Sequence, residues 1–114
     1  MHELAIVESI METLLDQLKI HKCSKIVSVN LEFGAMTAVM PAAIDFAFEA
    51  LSKGSPAEGA LIKTTIIPIK ARCMDCGQES TLDDYLPFCP KCDEGVLQII
   101  QGRDEMRIAS IEIQ

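Results

Sequence analysis

The sequence is poor in aromatic residues and in histidine. It contains no Trp, and only 4% of its 114 residues are aromatic, so a core must be built from Ile, Leu, Val and Met side chains. The apolar share is 49%, which is enough for one modest aliphatic core. There are only two histidines, and His2 stands directly behind the first methionine.

Long apolar runs and an excess of basic residues are also missing. No run of 18 apolar residues occurs, so we predict no transmembrane helix and no membrane insertion. The first residues lack the basic-then-apolar layout of a secretory signal, and we expect a cytoplasmic protein. The net charge is −7. Such a surface repels phosphate backbones, which argues against nucleic-acid binding.

The motifs of common enzyme classes are absent as well. The sequence has no glycine-rich phosphate loop, no nucleophile elbow and no paired Cys–His motif. We therefore expect a protein without enzymatic activity, and the remaining classes are a carrier of some ligand or a binding module.

The spacing of apolar residues predicts a small α/β (α+β) fold. Residues 4–20 place apolar side chains at three- and four-residue steps, which is typical of an amphipathic helix. Residues 25–34 alternate as in a half-buried strand. Pro41 suits the first position of a second helix, and Gly54 suits its end.

Two further segments complete the predicted sheet. The stretch "GALIKTTIIPIKARC" predicts one strand, in which Pro68 lacks a donor for the ladder and so marks an edge or a bulge. The ending "DEMRIASIEIQ" also predicts a strand, with its apolar side switching near Ala109. We expect a mixed three-stranded sheet with two helices in residues 1–70 and 99–114, and an inserted module at 71–98.

Four of the five cysteines form two C-x₂-C pairs within that inserted module. Two residues between cysteines let the chain turn tightly, so both thiolates of a pair reach one ion, and two pairs complete a tetrahedron around zinc. Because four thiolates leave no position for water, the site should be structural, in a zinc-ribbon-like module. Iron in the same cage, and a disulfide or redox pair, are the alternatives. The cysteines are Cys73, Cys76, Cys89 and Cys92.

The first three residues offer a second set of metal ligands. A residue as large as His2 is expected to block removal of Met1, whose amine has a reference pKa of about 7.7–8.0. That amine, the His2 amide and the His2 imidazole form adjacent chelate rings, and the Glu3 amide offers a fourth nitrogen. Such a planar set suits Ni²⁺ and Cu²⁺ better than Zn²⁺. On spacing alone, a histidine at position 2 is most often just an exposed side chain before a helix, with Glu3 complementing the helix dipole.

Several motifs together resemble those of the HypA (HybF-type) family of hydrogenase nickel-incorporation proteins. They are the "MHE" start, the leading amphipathic helix, the two late C-x₂-C pairs and the "GRDEMRIASIEI" ending, so the resemblance spans the whole chain. It implies a metallochaperone that carries Ni(II) as transient cargo and holds structural Zn(II). By this resemblance the nickel ligands are Met1, His2 and Glu3, and the zinc ligands are Cys73, Cys76, Cys89 and Cys92.

The resemblance also implies partners. These are a GTPase of hydrogenase maturation and the large-subunit precursor of [NiFe] hydrogenase, and for some members the urease maturation proteins. The residues alone leave one alternative open, which is a zinc-ribbon module that binds protein or nucleic acid and has no nickel role.

Overall fold

The computed structural model describes residues 2–82, 89–92 and 95–114. In chain order its elements are α1 (Glu3–His21), β1 (Ile26–Gly34), α2 (Pro41–Ser52), β2 (Leu61–Ile67), β3 (Ile69–Cys73), β4 (Glu79–Leu82), β5 (Leu97–Gln101) and β6 (Met106–Ile113). A short 3₁₀ turn at Ala35–Thr37 follows β1. Across the described ranges, no helix combines the length and the apolar character needed to span a bilayer.

Helix α1 confirms the predicted amphipathic periodicity. Its buried side chains recur at steps of three and four residues, and so share one face. They are Val7, Ile10, Met11, Leu14 and Leu18. Leu4, which the pattern also assigns to this face, is 53% exposed. The buried stripe therefore begins about one turn later than predicted.

Helix α2 begins as predicted, with Pro41 in its first turn. Proline has no N–H, and the first position of a helix needs no such donor. Ile44, Ala47 and Phe48 are buried on one face, and α2 packs against α1. Gly54 follows the helix with a φ of +75°, a conformation that glycine adopts without steric cost.

The first sheet has three strands, the number predicted, and their order is β2-β1-β6. Along the central strand β1, Val29, Leu31 and Phe33 are buried at alternate positions, the period of a strand with one covered face. Lys25 and Gln114 exchange two backbone hydrogen bonds, of 3.1 and 2.9 Å. This exchange is typical of antiparallel neighbours, so β6 runs antiparallel to β1.

Strand β6 shows the predicted change of face. Ile108, Ile111 and Ile113 are half-buried, and the residues between them are exposed. Because positions 108 and 111 have opposite parity, the covered side of the strand switches between them. The switch lies next to Ala109, where the sequence places it.

The predicted single strand ending at Cys73 is wrong. β2 ends at Ile67 and β3 begins at Ile69, so Pro68 lies between two strands. The two strands belong to different sheets, because β2 is an edge of the first sheet and β3 is the centre of the second. Pro68 cannot donate to a ladder, and its carbonyl accepts a hydrogen bond of 3.0 Å from the Gln101 side chain. Pro68 thus separates two strands and does not form a bulge within one continuous strand.

A second three-stranded sheet, which the sequence did not predict, forms around the cysteine module. Its order is β4-β3-β5, and both neighbours run antiparallel to β3. The small core of this sheet consists of Ile69, Ala71, Cys73, Leu82, Cys89 and Leu97. Two of the cysteines are therefore part of the core itself.

The chain divides into two compact units. The first contains both helices and comprises residues 1–32, 39–65 and 107–114; the second contains the second sheet and comprises residues 33–38 and 66–106. The second unit is larger than the insertion expected at 71–98, since it takes in chain on both sides of that range. The assignment of nickel to the first unit and zinc to the second stays a prediction.

Candidate metal centres

The start of α1 carries the described part of the expected nickel ligands. His2 precedes the helix and is exposed, while Glu3, the first helical residue, is half-buried. The His2 carbonyl accepts the N–H of Ile6 at 3.2 Å, so the first helical turn closes directly behind His2. Met1 lies outside the described residues, and its amine stays a prediction.

Helix geometry leaves the relevant amide nitrogens out of the helical hydrogen bonds. The first N–H groups of any α-helix have no carbonyl one turn earlier to donate to. The amides of His2 and Glu3 stand at this point in α1. The helix therefore does not compete for the two backbone nitrogens that a planar chelate would use.

The Glu3 carboxylate is held by backbone donors. Its Oε2 accepts the N–H of Met40 at 3.3 Å. The N–H of Glu3 itself, and then that of Met40, lower the pKa of the Glu3 carboxyl below its ordinary value. Glu3 is thus a carboxylate at neutral pH, with its charge directed at the chain that leads into α2.

The four cysteines of the two C-x₂-C pairs converge on one point. Their Sγ atoms all lie within 4.8 Å of one another. The Sγ atoms of Cys73 and Cys92 are 3.7 Å apart, and those of Cys76 and Cys89 are 3.8 Å apart. Among the residues that the structure describes, this is the one cluster of three or more His, Cys, Asp or Glu side chains that could hold a metal.

Backbone N–H groups point at the sulfur atoms from within each turn. Cys76 N–H donates to Cys73 Sγ at 3.4 Å, and Lys91 N–H donates to Cys89 Sγ at 3.3 Å. Gly95 N–H donates to Cys92 Sγ at 3.4 Å. Donors of this kind favour the thiolate over the thiol, and the thiolate is the form of cysteine that binds metals.

The thiols of the first pair have opposite pKa shifts. The Cys76 N–H lowers the pKa of Cys73 to about 7. A backbone hydrogen bond from Gln78 lowers the pKa of Cys76. The Cys73 thiol, burial and the other two thiols of the cluster together outweigh it, and the pKa rises to about 11. Sulfur atoms this close cannot all ionise without a cation between them.

This donor set fits zinc. A regular tetrahedron with Zn–S bonds of about 2.3 Å places its sulfur atoms about 3.8 Å apart. The 3.7 and 3.8 Å separations in this structure agree with that value. Four thiolates saturate a tetrahedral ion, so such a site can hold a metal but offers no open position for a substrate.

Gly95 is a functional residue that the sequence reasoning missed. A Cβ atom added at this position would overlap Cys73 Sγ and lie 3.2 Å from Cys92 Sγ. Only glycine leaves room for the two sulfur atoms and also donates its N–H to one of them. The available signal was a glycine three residues after the last cysteine, in "CDEG".

Comparison with known proteins agrees with this geometry. The sequence matches the family described as "Hydrogenase/urease nickel incorporation, metallochaperone, hypA" over residues 1–113. The chain belongs to this family. It is 41% identical over 113 residues to the hydrogenase maturation factor HypA of Paracoccus denitrificans, and 39% identical over 113 residues to that of Rhodobacter capsulatus. Each alignment covers 99% of this chain and 99% of the relative.

Solved structures of HypA proteins share the fold. One, described as the solution structure of the Ni metallochaperone HypA from Helicobacter pylori, has a TM-score of 0.67 and 26% identity. That alignment covers 99% of this chain and 97% of the other. A second HypA solution structure has a TM-score of 0.72 at 26% identity, with 100% and 97% coverage. The resemblance noted in the sequence is confirmed at the level of family and fold.

Proposed function

We propose that this member of the HypA family is a cytoplasmic nickel carrier for the maturation of [NiFe] hydrogenase. It is a metallochaperone and not an enzyme. The proposal rests on one observation above all, which is that His2 is exposed at the start of α1 in a chain of this family. The names of the relatives, which are hydrogenase maturation factors, support the same function.

In this proposal Ni²⁺ binds to the first three residues. The ligands are the Met1 amine, the His2 amide and imidazole, and the Glu3 amide. Ionised amides and an amine are strong donors in one plane, and Ni²⁺ accepts that geometry whereas Zn²⁺ prefers a tetrahedron. A chelate at an exposed chain end lets an acceptor approach and displace the ligands one by one, as delivery requires.

Zinc has a different role in the proposal. Cys73, Cys76, Cys89 and Cys92 hold one structural Zn²⁺, because all four sulfur atoms lie within 4.8 Å of one another and two of their separations match a zinc tetrahedron. Binding of the metal contributes folding free energy to the second unit, whose own apolar core is small. The two metals therefore occupy separate sites with different ligand chemistry.

The proposed partners follow from the family. We infer that the chain acts with a hydrogenase-maturation GTPase and delivers nickel to the large-subunit precursor of [NiFe] hydrogenase. Urease maturation proteins are further candidates, since the family description names urease as well as hydrogenase.

Nickel titration of the protein with its natural start tests the proposal. We expect about one Ni²⁺ per chain, with the visible absorption band of a planar nitrogen complex. His2→Ala should abolish this band, and so should one extra residue ahead of Met1, because it moves the amine. The matched control is His21→Ala, which removes the exposed histidine at the other end of α1 and should leave the band intact.

The same titration distinguishes nickel delivery from the alternative function, which is a zinc-ribbon binding module. A zinc-ribbon binding module without a nickel role would bind zinc normally and give no nickel band in any of the variants. Nickel binding that is equal in the wild type, the His2→Ala variant and the extended chain would reject the N-terminal chelate.

A further inference from the structure

Helix α2 begins without a capping side chain of its own. Its N-cap residue is Met40, which makes no side-chain hydrogen bond there. Stable helix starts usually place Ser, Thr, Asp or Asn at this position, often with Glu or Gln three residues later to bond the N-cap N–H. Here the third helical residue is Ala43, so neither half of such a capping box is present in the sequence of α2.

The backbone donors at this helix start show what replaces the box. Pro41 has no N–H, and the N–H groups of Ala43 and Ile44 both donate to the Met40 carbonyl, at 3.0 and 3.1 Å. The N–H of Met40 itself donates to Glu3 Oε2 at 3.3 Å. Glu3 belongs to α1, yet its carboxylate makes the bond that a third-position glutamate makes in a capping box.

The charge of Glu3 suits both helices. It lies in the first turn of α1 and against the start of α2, and a carboxylate is stabilising at the amino end of a helix because the helix dipole is positive there. Other acidic residues on α1, such as Glu8 and Glu12, are exposed, whereas Glu3 is half-buried. Its side chain is therefore restrained while the His2 side chain next to it remains free in solvent.

We infer that the Glu3 side chain positions the nickel chelate: its carboxylate caps α2 and thereby anchors the backbone of residue 3. The amide of Glu3 is the nickel ligand, and the carboxylate is not. This inference rests on the proposed function, because it assigns a role within that chelate. The anchor fixes one end of the tripeptide in advance. Less chain entropy is then lost when its nitrogens are brought into one plane around the ion.

The test uses the zinc-loaded, nickel-free protein, with two measurements on each variant. One is the melting temperature followed by helical circular dichroism, and the other is the Ni²⁺ dissociation constant together with the position of the visible band. Glu3→Ala should lower the melting temperature by about 4–8 °C and weaken nickel binding by about fivefold. The band should not move, because the nitrogen ligands are unchanged. Glu8→Gln removes an exposed charge from the same helix and should change neither quantity.

A second variant separates positioning from simple stabilisation. Met40→Ser supplies α2 with its own N-cap oxygen, so in the Glu3→Ala background it should restore the melting temperature. Residue 3 remains unanchored in this double variant, and its nickel affinity should stay at the weak value. Glu3→Gln, whose amide oxygen still accepts an N–H, should lie close to the wild type in both measurements.

Four outcomes would overturn the inference. A band that is shifted in Glu3→Ala at saturating Ni²⁺ would make the carboxylate a ligand. Nickel affinity that recovers together with the melting temperature in the Met40→Ser double variant would leave Glu3 with a structural role only. If Glu3→Ala leaves the nickel affinity unchanged while the wild type shows a His2-dependent band, the positioning role is rejected and the proposed function stands. If the wild type lacks that band, both are rejected.

Discussion

The Sγ atoms of Cys76 and Cys89 lie 3.8 Å apart, although the two residues come from different C-x₂-C pairs. The other short separation, between Cys73 and Cys92, also joins one pair to the other. Each sulfur atom therefore has a close neighbour from the opposite pair, and the four-sulfur cage needs both halves of the motif.

Removal of one sulfur should accordingly affect the whole second unit. We expect Cys89→Ala to lose zinc, because three thiolates of a cage this small leave the ion open to exchange. Strands β4 and β5 should lose their ordered signals, since Cys89 is also part of their core, while the signals of α1 and α2 persist. Zinc content by mass spectrometry and amide spectra by NMR measure the two effects.

Cys23→Ala is the matched control for this experiment. Cys23 is the fifth cysteine and does not belong to the cluster, so its variant should keep one zinc and a wild-type spectrum. A Cys89→Ala protein with full zinc content would contradict the assignment of the four cysteines as ligands.

Zinc affinity should depend on pH in a way set by the first cysteine pair. Protons compete with zinc for each thiol that must ionise on binding. The pKa of Cys76 is raised to about 11, so this thiol releases a proton on binding at every pH from 6 to 8. The pKa of Cys73 is lowered to about 7. Cys73 therefore adds one further competing proton below pH 7 and little competition above it.

The measurement is a competition titration with a chromogenic chelator across pH 6 to 8. The logarithm of the apparent zinc affinity should fall as pH falls, and the slope should steepen by about one proton below pH 7. A slope that is constant across this range would contradict the thiolate character of Cys73.

Gly95→Ala should weaken zinc binding without removing a ligand. The added methyl group would overlap Cys73 Sγ and crowd Cys92 Sγ, so the sulfur atoms must move apart from their tetrahedral separations. We expect zinc affinity to fall by about tenfold or more, in line with the effect of changing residues around a metal site. The same chelator competition at pH 7.5 measures it.

Gly77→Ala provides the comparison at a glycine of the other turn. A Cβ atom at Gly77 would meet nothing within 4 Å, but the residue has a φ of +73°. The substitution should therefore cost about 1 kcal/mol of backbone strain and leave the zinc affinity close to that of the wild type. Equal losses of zinc affinity in the two variants would show that the crowding of sulfur is unimportant.

The sequence predicted those features that depend on local periodicity or spacing. The buried face of α1, the alternation along β1 and the change of face beside Ala109 all follow from side chains a few residues apart. The cysteine cage was predictable for a similar reason, because the two-residue spacing within each pair itself brings two sulfur atoms together.

The features that it did not predict depend on contacts between distant segments. Residues 79–82 and 97–101 are short and only weakly alternating, so their pairing with β3 has no local signature. Pro68 marked a discontinuity, but one residue cannot indicate that the chain changes sheet. The bond from Met40 to Glu3 joins residues 37 positions apart and exists only because α1 and α2 pack together.

The second unit takes its chain from two stretches, 33–38 and 66–106, and Ala35 from the shorter stretch packs against its cysteine-containing core. An excised peptide that spans only the two cysteine pairs would lack both this neighbour and Ile69. Transplanting the second unit into another scaffold thus requires two segments of chain. A recombination event that exchanges this unit between relatives must likewise carry residues 33–38, which precede α2 in the sequence.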